Sequence, residues 1–288
     1  MTSPDLAYYN SPHTASRIVE YCGGSRGDAA SCTSRFLVAD SEVTFGLGIP
    51  QADDIMDPSR LGAILDRGLD VFRSVWDVRS LIALLDLDYQ NPDMPDEAIL
   101  NPSRSFSLME PVFRAVEAEL RHFGMNHIAV MTGQGYHLAW RIPAHTRIMA
   151  QLQRLAKPPR TLESKYEHDH PFTPEATPLA SGRGHSGIGL LMEYLCHRVL
   201  RQAYVASELP VVLTGLAVGS RRKGREAISI DLSAYGDPLY MRYTRCAFSL
   251  YRKTRGSNGF LACLPRTDSP LEDLLSVRVS PDLAADYA

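Results

Sequence analysis

Apolar residues recur along this chain in two rhythms, and the switch between them marks out its elements. Ser16 to Cys22 has the spacing of a short amphipathic helix that stops at Gly23 and Gly24. Pro58 to Phe72 reads as a second helix, with Leu61, Ile64, Leu65, Leu69 and Phe72 on one face. Leu81 to Tyr89, LIALLDLDY, abandons that rhythm: an unbroken apolar run ends in two acids, Asp86 and Asp88, as a buried strand would. The Pro-, Asn- and Asp-rich stretch behind it reads as a loop. Pro111 to Phe123 returns to helical spacing, with Met109, Val112, Phe113, Val116, Leu120 and Phe123 in one stripe and Gly124 just past the end. His127 to Met131 is a strand again, so the helix joins two strands that should run parallel and near each other.

The second half repeats the alternation. Thr132 to Pro143 reads as a glycine turn, at Gly133 and Gly135, followed by a returning strand from Tyr136 to Ile142. A helix runs from His145 to about Leu155, and a long Pro-, Ser- and Thr-containing segment follows to Gly184. Ser181 to His185 reads as the start of a further helix, with a phosphate contact at its N-terminus in view and Ile188, Leu191, Leu195 and Val199 as its stripe. Pro210 to Leu216 is a short strand, and Ala227 to Asp231 is another apolar strand ending in a carboxylate. Arg245 to Tyr251 alternates as a strand, and Ser269 to Ala288 reads as a terminal helix or linker.

Composition narrows the classes. A chain of 288 residues, 44% hydrophobic, can bury one large core or two small ones. A net charge of -3 excludes a globally basic nucleic-acid binder, so any such partner must meet a local surface. The densest basic cluster is Arg221, Arg222, Lys223 and Arg225. Five scattered cysteines without a CxxC pair predict neither a disulfide framework nor a structural zinc site. No basic start leads into an apolar run and no run reaches membrane length, so a cytoplasmic protein without a membrane partner is expected.

The candidate chemistry lies at the strand ends. Alternate residues of a strand share a face, so Asp86 and Asp88 point the same way. Two such acids either run out into solvent in a turn or share a hard divalent cation. His137 follows the glycine turn, where it is either held in the hairpin or, with the backbone N–H groups there, seats a phosphate. Asp231 joins the pair if its strand lies beside the first.

Taken in order, these strand ends resemble the motifs of the archaeo-eukaryotic primase superfamily, in its primase-polymerase branch. Asp86-Leu87-Asp88 matches the first motif and Gly135-Tyr136-His137 the second. Asp231 matches the third, with Arg245, Phe248, Ser249 and Lys253 following it. Tyr251 stands where many relatives carry His, and Gly135 where many carry Ser. The resemblance spans roughly residues 80 to 256. It implies an α+β fold, a palm with an RNA-recognition-motif-like antiparallel or mixed sheet and flanking helices. The implied division is an N-terminal subdomain over residues 1–75, a catalytic core over 76–265 and a tail or linker over 266–288.

The resemblance further implies a DNA primase and polymerase. Asp86, Asp88 and Asp231 would be the catalytic residues and would hold two Mg²⁺ or Mn²⁺ ions. Gly135, His137, Arg245, Ser249 and Lys253 would seat the NTP or dNTP phosphates, and Arg221, Arg222, Lys223 and Arg225 would track a single-stranded DNA template. A helicase or other replication domain in a longer chain would be a further partner, and the setting a nucleoid, plasmid or phage. Two alternatives stay open: a gap-filling polymerase that only extends, and a non-catalytic nucleic-acid-binding palm.

Overall fold

The computed structural model describes residues 3–25, 27–39, 55–156, 158, 160–164, 178–213, 226–235, 243–252 and 259–288. Its strands are β1 (Leu37–Ala39), β2 (Ile55–Met56), β3 (Val71–Ser74), β4 (Ser80–Gln90), β5 (Ile128–Met131), β6 (Gly135–Pro143), β7 (Val211–Leu213), β8 (Ala227–Asp231), β9 (Tyr243–Arg245) and β10 (Leu264–Pro265). Its helices are α1 (Pro4–Tyr9), α2 (Pro12–Tyr21), α3 (Leu61–Leu65), α4 (Glu97–Leu100), α5 (Pro102–His122), α6 (Arg147–Leu155), α7 (Arg160–Glu163), α8 (Leu179–Ala206), α9 (Leu271–Val277) and α10 (Pro281–Tyr287).

The large sheet has the order β10-β5-β6-β4-β8-β7. β4 pairs antiparallel with β6 on one side and β8 on the other, and β6 pairs antiparallel with β5. β4 and β5 are therefore parallel, as the strand-helix-strand reading requires, with β6 inserted between them. The run β4-α5-β5-β6-α8-β8 is the βαββαβ order of an RNA-recognition-motif-like sheet. The fold is the expected mixture of antiparallel and mixed sheets with flanking helices. A smaller sheet, β2-β1-β3-β9, joins strands from near both ends of the chain.

The two faces of β4 meet different layers. Odd-numbered residues meet helices: Leu81 lies against Gly184 of α8, and the Tyr89 hydroxyl donates to Glu97 at 2.5 Å. α5 and α8 pack on each other and on β4. Glycine lets α6 approach α8 closely, since a Cβ at Gly187 would stand 2.1 Å from the Leu152 carbonyl oxygen of α6.

Several predicted elements are corrected. The helix expected over Pro58 to Phe72 stops at Leu65, because Gly68 turns the chain at φ +61° into β3. The loop expected after Tyr89 contains α4 and the first turns of α5, with Pro102 at the N-terminal position and Pro111 inside the helix. Ser181 to His185 does lie in the start region of a helix, α8, which begins two residues earlier at Leu179. Gly182, Gly184 and His185 are buried there. The strand expected from Arg245 to Tyr251 ends at Arg245, because a turn follows in which Phe248 takes φ 64°. Of the two readings for Ser269 to Ala288, helix or linker, the helical one holds, as two helices, α9 and α10; between them Arg278 is buried, donating to the carbonyls of Thr132 at 2.7 Å and Gly133 at 3.3 Å.

Candidate active site

β4 is buried on both faces from Ser80 to Leu85; then Asp86, Asp88 and Gln90 become partly exposed while Leu87 and Tyr89 stay buried. The switch marks where the even-numbered face comes out from under the second layer. It explains the sequence pattern, an apolar run that starts to alternate only at its acids.

Strand register assembles the site. Asp86 is opposite His137 on β6 and opposite Asp231 on β8. Directly opposed residues share a face, with Cβ atoms about 5 Å apart. Asp231, Asp86 and His137 thus form one row across three strands. Asp88 lies one step along, opposite Gly135 and Ser229. A Cβ at Gly135 would stand 1.8 Å from the Leu87 carbonyl oxygen, which is why no larger residue fits there.

His137 bridges the two layers. Its Nε2 is 3.5 Å from Asp86 Oδ1, and its Nδ1 is 3.2 Å from Thr244 Oγ1 on β9. With the Thr244 hydroxyl donating to Nδ1, the ring proton sits on Nε2, which faces Asp86. Burial pushes the imidazole pKa down to about 4, against the pull of Asp88 and Asp231. The ring is therefore neutral at pH 7 and acts as a hydrogen-bond donor rather than a cation. Asp231 Oδ1 accepts from the Ser233 N–H at 2.6 Å, which fixes that carboxylate at its strand end.

The edge of β4 below Asp231 is closed by a side chain. The Tyr235 hydroxyl meets both the Leu84 N–H, at 2.7 Å, and the Leu84 carbonyl, at 2.6 Å. A buried strand edge is thereby satisfied without a further strand.

Other expected site residues are placed elsewhere. The Gly135 N–H is not bare, because it donates to Thr132 Oγ1 at 3.2 Å within the turn. Arg245 is buried: its guanidinium pairs with Asp70, donates to the Leu250 carbonyl at 2.8 Å and lies between the rings of Phe72 and Tyr251. Ser249 is also buried, its Oγ donating to the Leu250 carbonyl at 3.0 Å and accepting from the Val71 N–H at 2.7 Å. Both residues tie the turn after β9 to β3. Lys253, Arg221, Arg222, Lys223 and Arg225 lie outside the described residues. Sequence reasoning missed Thr244, which sits 107 positions from the histidine it touches, in a different sheet.

Among the described residues no group of three or more His, Cys, Asp or Glu is close enough as it stands to enclose a metal ion. The donor set nevertheless suits a hard cation: three carboxylates on neighbouring positions of two paired strands share one sheet face, with no soft ligand among them. Among the described residues no helix is long and apolar enough to cross a membrane.

No protein-family model matches this chain, and no curated protein matches it. Its structure is similar to the polymerase domain from Mycobacterium tuberculosis Ligase D in complex with DNA, with a TM-score of 0.52 at 15% identity, over 98% of this chain and 86% of that one. At that identity the likeness is one of fold, and it covers nearly the whole chain.

Proposed function

We propose that this protein is a template-directed nucleotidyltransferase of the primase-polymerase type, which adds nucleotides to a 3′-hydroxyl on a DNA template. The observation that carries the reading is the row Asp231-Asp86-His137, with Asp88 beside it, where the even-numbered face of β4 becomes partly exposed. The likeness of fold to a polymerase domain in complex with DNA supports it.

In this reading Asp86, Asp88 and Asp231 hold divalent cations, Mg²⁺ or Mn²⁺. Such ions lower the pKa of an attacking hydroxyl and offset charge on a triphosphate leaving group. The rest falls to the chain's own residues. The Asp231 carboxylate is positioned by the Ser233 N–H. The neutral His137 ring, oriented by Thr244, presents its Nε2 proton to a nucleotide phosphate beside the carboxylates. Positioning and charge stabilisation supply most of phosphoryl-transfer catalysis, so few further groups are needed. De novo primer synthesis is the finer part of the proposal.

Primer extension on a DNA template with Mg²⁺ or Mn²⁺ is the test. Product that disappears in Asp86→Asn and in Asp231→Asn is expected. Absence of product with every metal and nucleotide tried would refute the reading. The same assay without primer separates a chain-starting enzyme from a gap-filling one.

A further inference from the structure

Arg278, just past the end of α9, is 1% exposed, yet among the described residues no carboxylate pairs with it. Arg73 and Arg245, buried to a similar degree, are answered by Asp77 and Asp70. The Arg278 guanidinium carbon lies 4.9 Å from the centre of the Phe106 ring, and its buried Nε meets no acceptor among the described residues. Burial lowers its pKa to about 10, so the group keeps its proton at pH 7. Holding a charge away from water without a counter-ion is costly, so some other gain must offset it.

What this cation holds is the glycine turn before His137. Its two Nη atoms donate to consecutive carbonyls, Thr132 at 2.7 Å and Gly133 at 3.3 Å. The next two carbonyls are taken by backbone: Gln134 accepts from the Tyr89 N–H at 3.0 Å, and Gly135 from the Thr132 N–H at 2.8 Å. Gly135 stands opposite Asp88, so the turn borders the carboxylates. In a trans peptide the N–H points opposite to the C=O. No described peptide bond is cis, so fixing these two carbonyls on Arg278 directs the Gly133 and Gln134 N–H groups away from it. Two peptide dipoles are thereby aligned with their positive ends on the far side of the turn, an arrangement that favours an anion there. The arginine's own backbone is pinned, its N–H donating to Leu274 at 3.1 Å and its carbonyl accepting from the Ala262 N–H at 2.8 Å.

We propose that Arg278 is a positioning residue for nucleotide binding, which sets two peptide dipoles of the glycine turn and lends an unpaired charge to the triphosphate seated beside Asp88. The segment after residue 265 then belongs to the catalytic unit and is not a tail. A phosphate at the turn is the counter-charge the arginine lacks, and the low dielectric of the interior screens that attraction weakly. The identity of the anion rests on the proposed function; the unpaired cation and its two carbonyls do not.

Two measurements on the full chain test this: primer extension, with the nucleotide KM and kcat read separately, and calorimetric titration with inorganic tripolyphosphate and Mg²⁺. Arg278→Met removes the cation at similar length. Its thermal midpoint should move by only a few degrees, because two lost hydrogen bonds are offset by loss of an unpaired buried charge. Its nucleotide KM should rise about tenfold with kcat within about twofold, and tripolyphosphate should bind about tenfold more weakly. Arg278→Lys keeps the charge but reaches one carbonyl, so it should lie between, at about threefold. A folded Arg278→Met with wild-type KM and tripolyphosphate affinity would overturn the proposal. So would kcat and thermal midpoint falling together in both variants with KM unchanged. Should Arg278→Met not fold, Arg278→Lys decides, and a wild-type KM there overturns the proposal. Tripolyphosphate titration needs no turnover, so a chain that binds it through Arg278 yet extends no primer refutes the polymerase reading alone.

Discussion

Asp70→Asn tests how the protein uses Arg245. The Asp70 side chain has no exposure to solvent, and it accepts from the Arg245 guanidinium and from the Arg252 backbone N–H at 3.1 Å. Arg245 is itself buried, with its guanidinium carbon 4.3 Å from the centre of the Phe72 ring and 4.5 Å from that of Tyr251. Replacing the carboxylate by an amide keeps the shape and strands a cation where water cannot reach it. Breaking one side of a buried pair costs about 3–5 kcal/mol. Two stacked rings and the Leu250 carbonyl soften the loss, so the lower half of that range is expected. With a urea slope of about 2–3 kcal/mol/M, the denaturation midpoint should fall by roughly 1–2 M. The double variant Asp70→Asn/Arg245→Met removes the stranded cation and should recover at least half of the loss. Because Arg245 is committed to the interior, that double variant should also retain primer extension. A single variant that loses under about 1 kcal/mol, or a double variant no more stable than the single, would refute the reasoning. A stable but inactive double variant would instead put Arg245 against the phosphates.

Three further outcomes follow from the geometry. The fold refuses His137 a proton that the unfolded chain accepts between its ordinary pKa of 6.5 and about 4. Stability from this group is therefore full above the upper value and falls by up to about 3 kcal/mol as pH drops to the lower one. In metal-free buffer the urea-derived stability difference between wild type and His137→Gln should shrink by that amount from pH 7 to pH 4; a constant difference contradicts the assignment. Gly135→Ala should fail to reach the native fold or lose at least several kcal/mol, because its Cβ would meet strand backbone rather than a movable side chain. Thermal unfolding of the purified variant decides this. Tyr235→Phe should cost about 1–3 kcal/mol by leaving both polar groups of Leu84 unanswered, with hydrogen exchange at the Leu84 amide accelerated.

Much of the large sheet was legible along the chain. The apolar runs ending at Asp88 and at Asp231, and the glycine turn before His137, correspond to β4, β8 and the start of β6. Their legibility has a local cause: strands buried on both faces need continuous apolar sequence, and their emergence from cover shows as the first acids. Other features were settled by packing. The 28-residue helix α8 contains three glycines in its first third, which argue against a helix by propensity. Gly184 and Gly187 persist because the close approach of α6 and β4 leaves no room for side chains. Pro111 looked like a helix start, yet α5 runs through it, its apolar stripe being buried against the sheet side over both halves.

What the sequence determined by itself was the kind of groups at the site and the strands that bear them. Alternation along a strand is local, so Asp86 and Asp88 had to share a face. That Asp231 and His137 flank Asp86 is a matter of register between strands distant in the chain, and only the assembled sheet sets it. The same holds for Arg245. A cation in an alternating segment looks available for a phosphate, and only tertiary packing supplies the buried Asp70 that claims it, because an ion pair between residues 175 positions apart leaves no periodic trace in either neighbourhood.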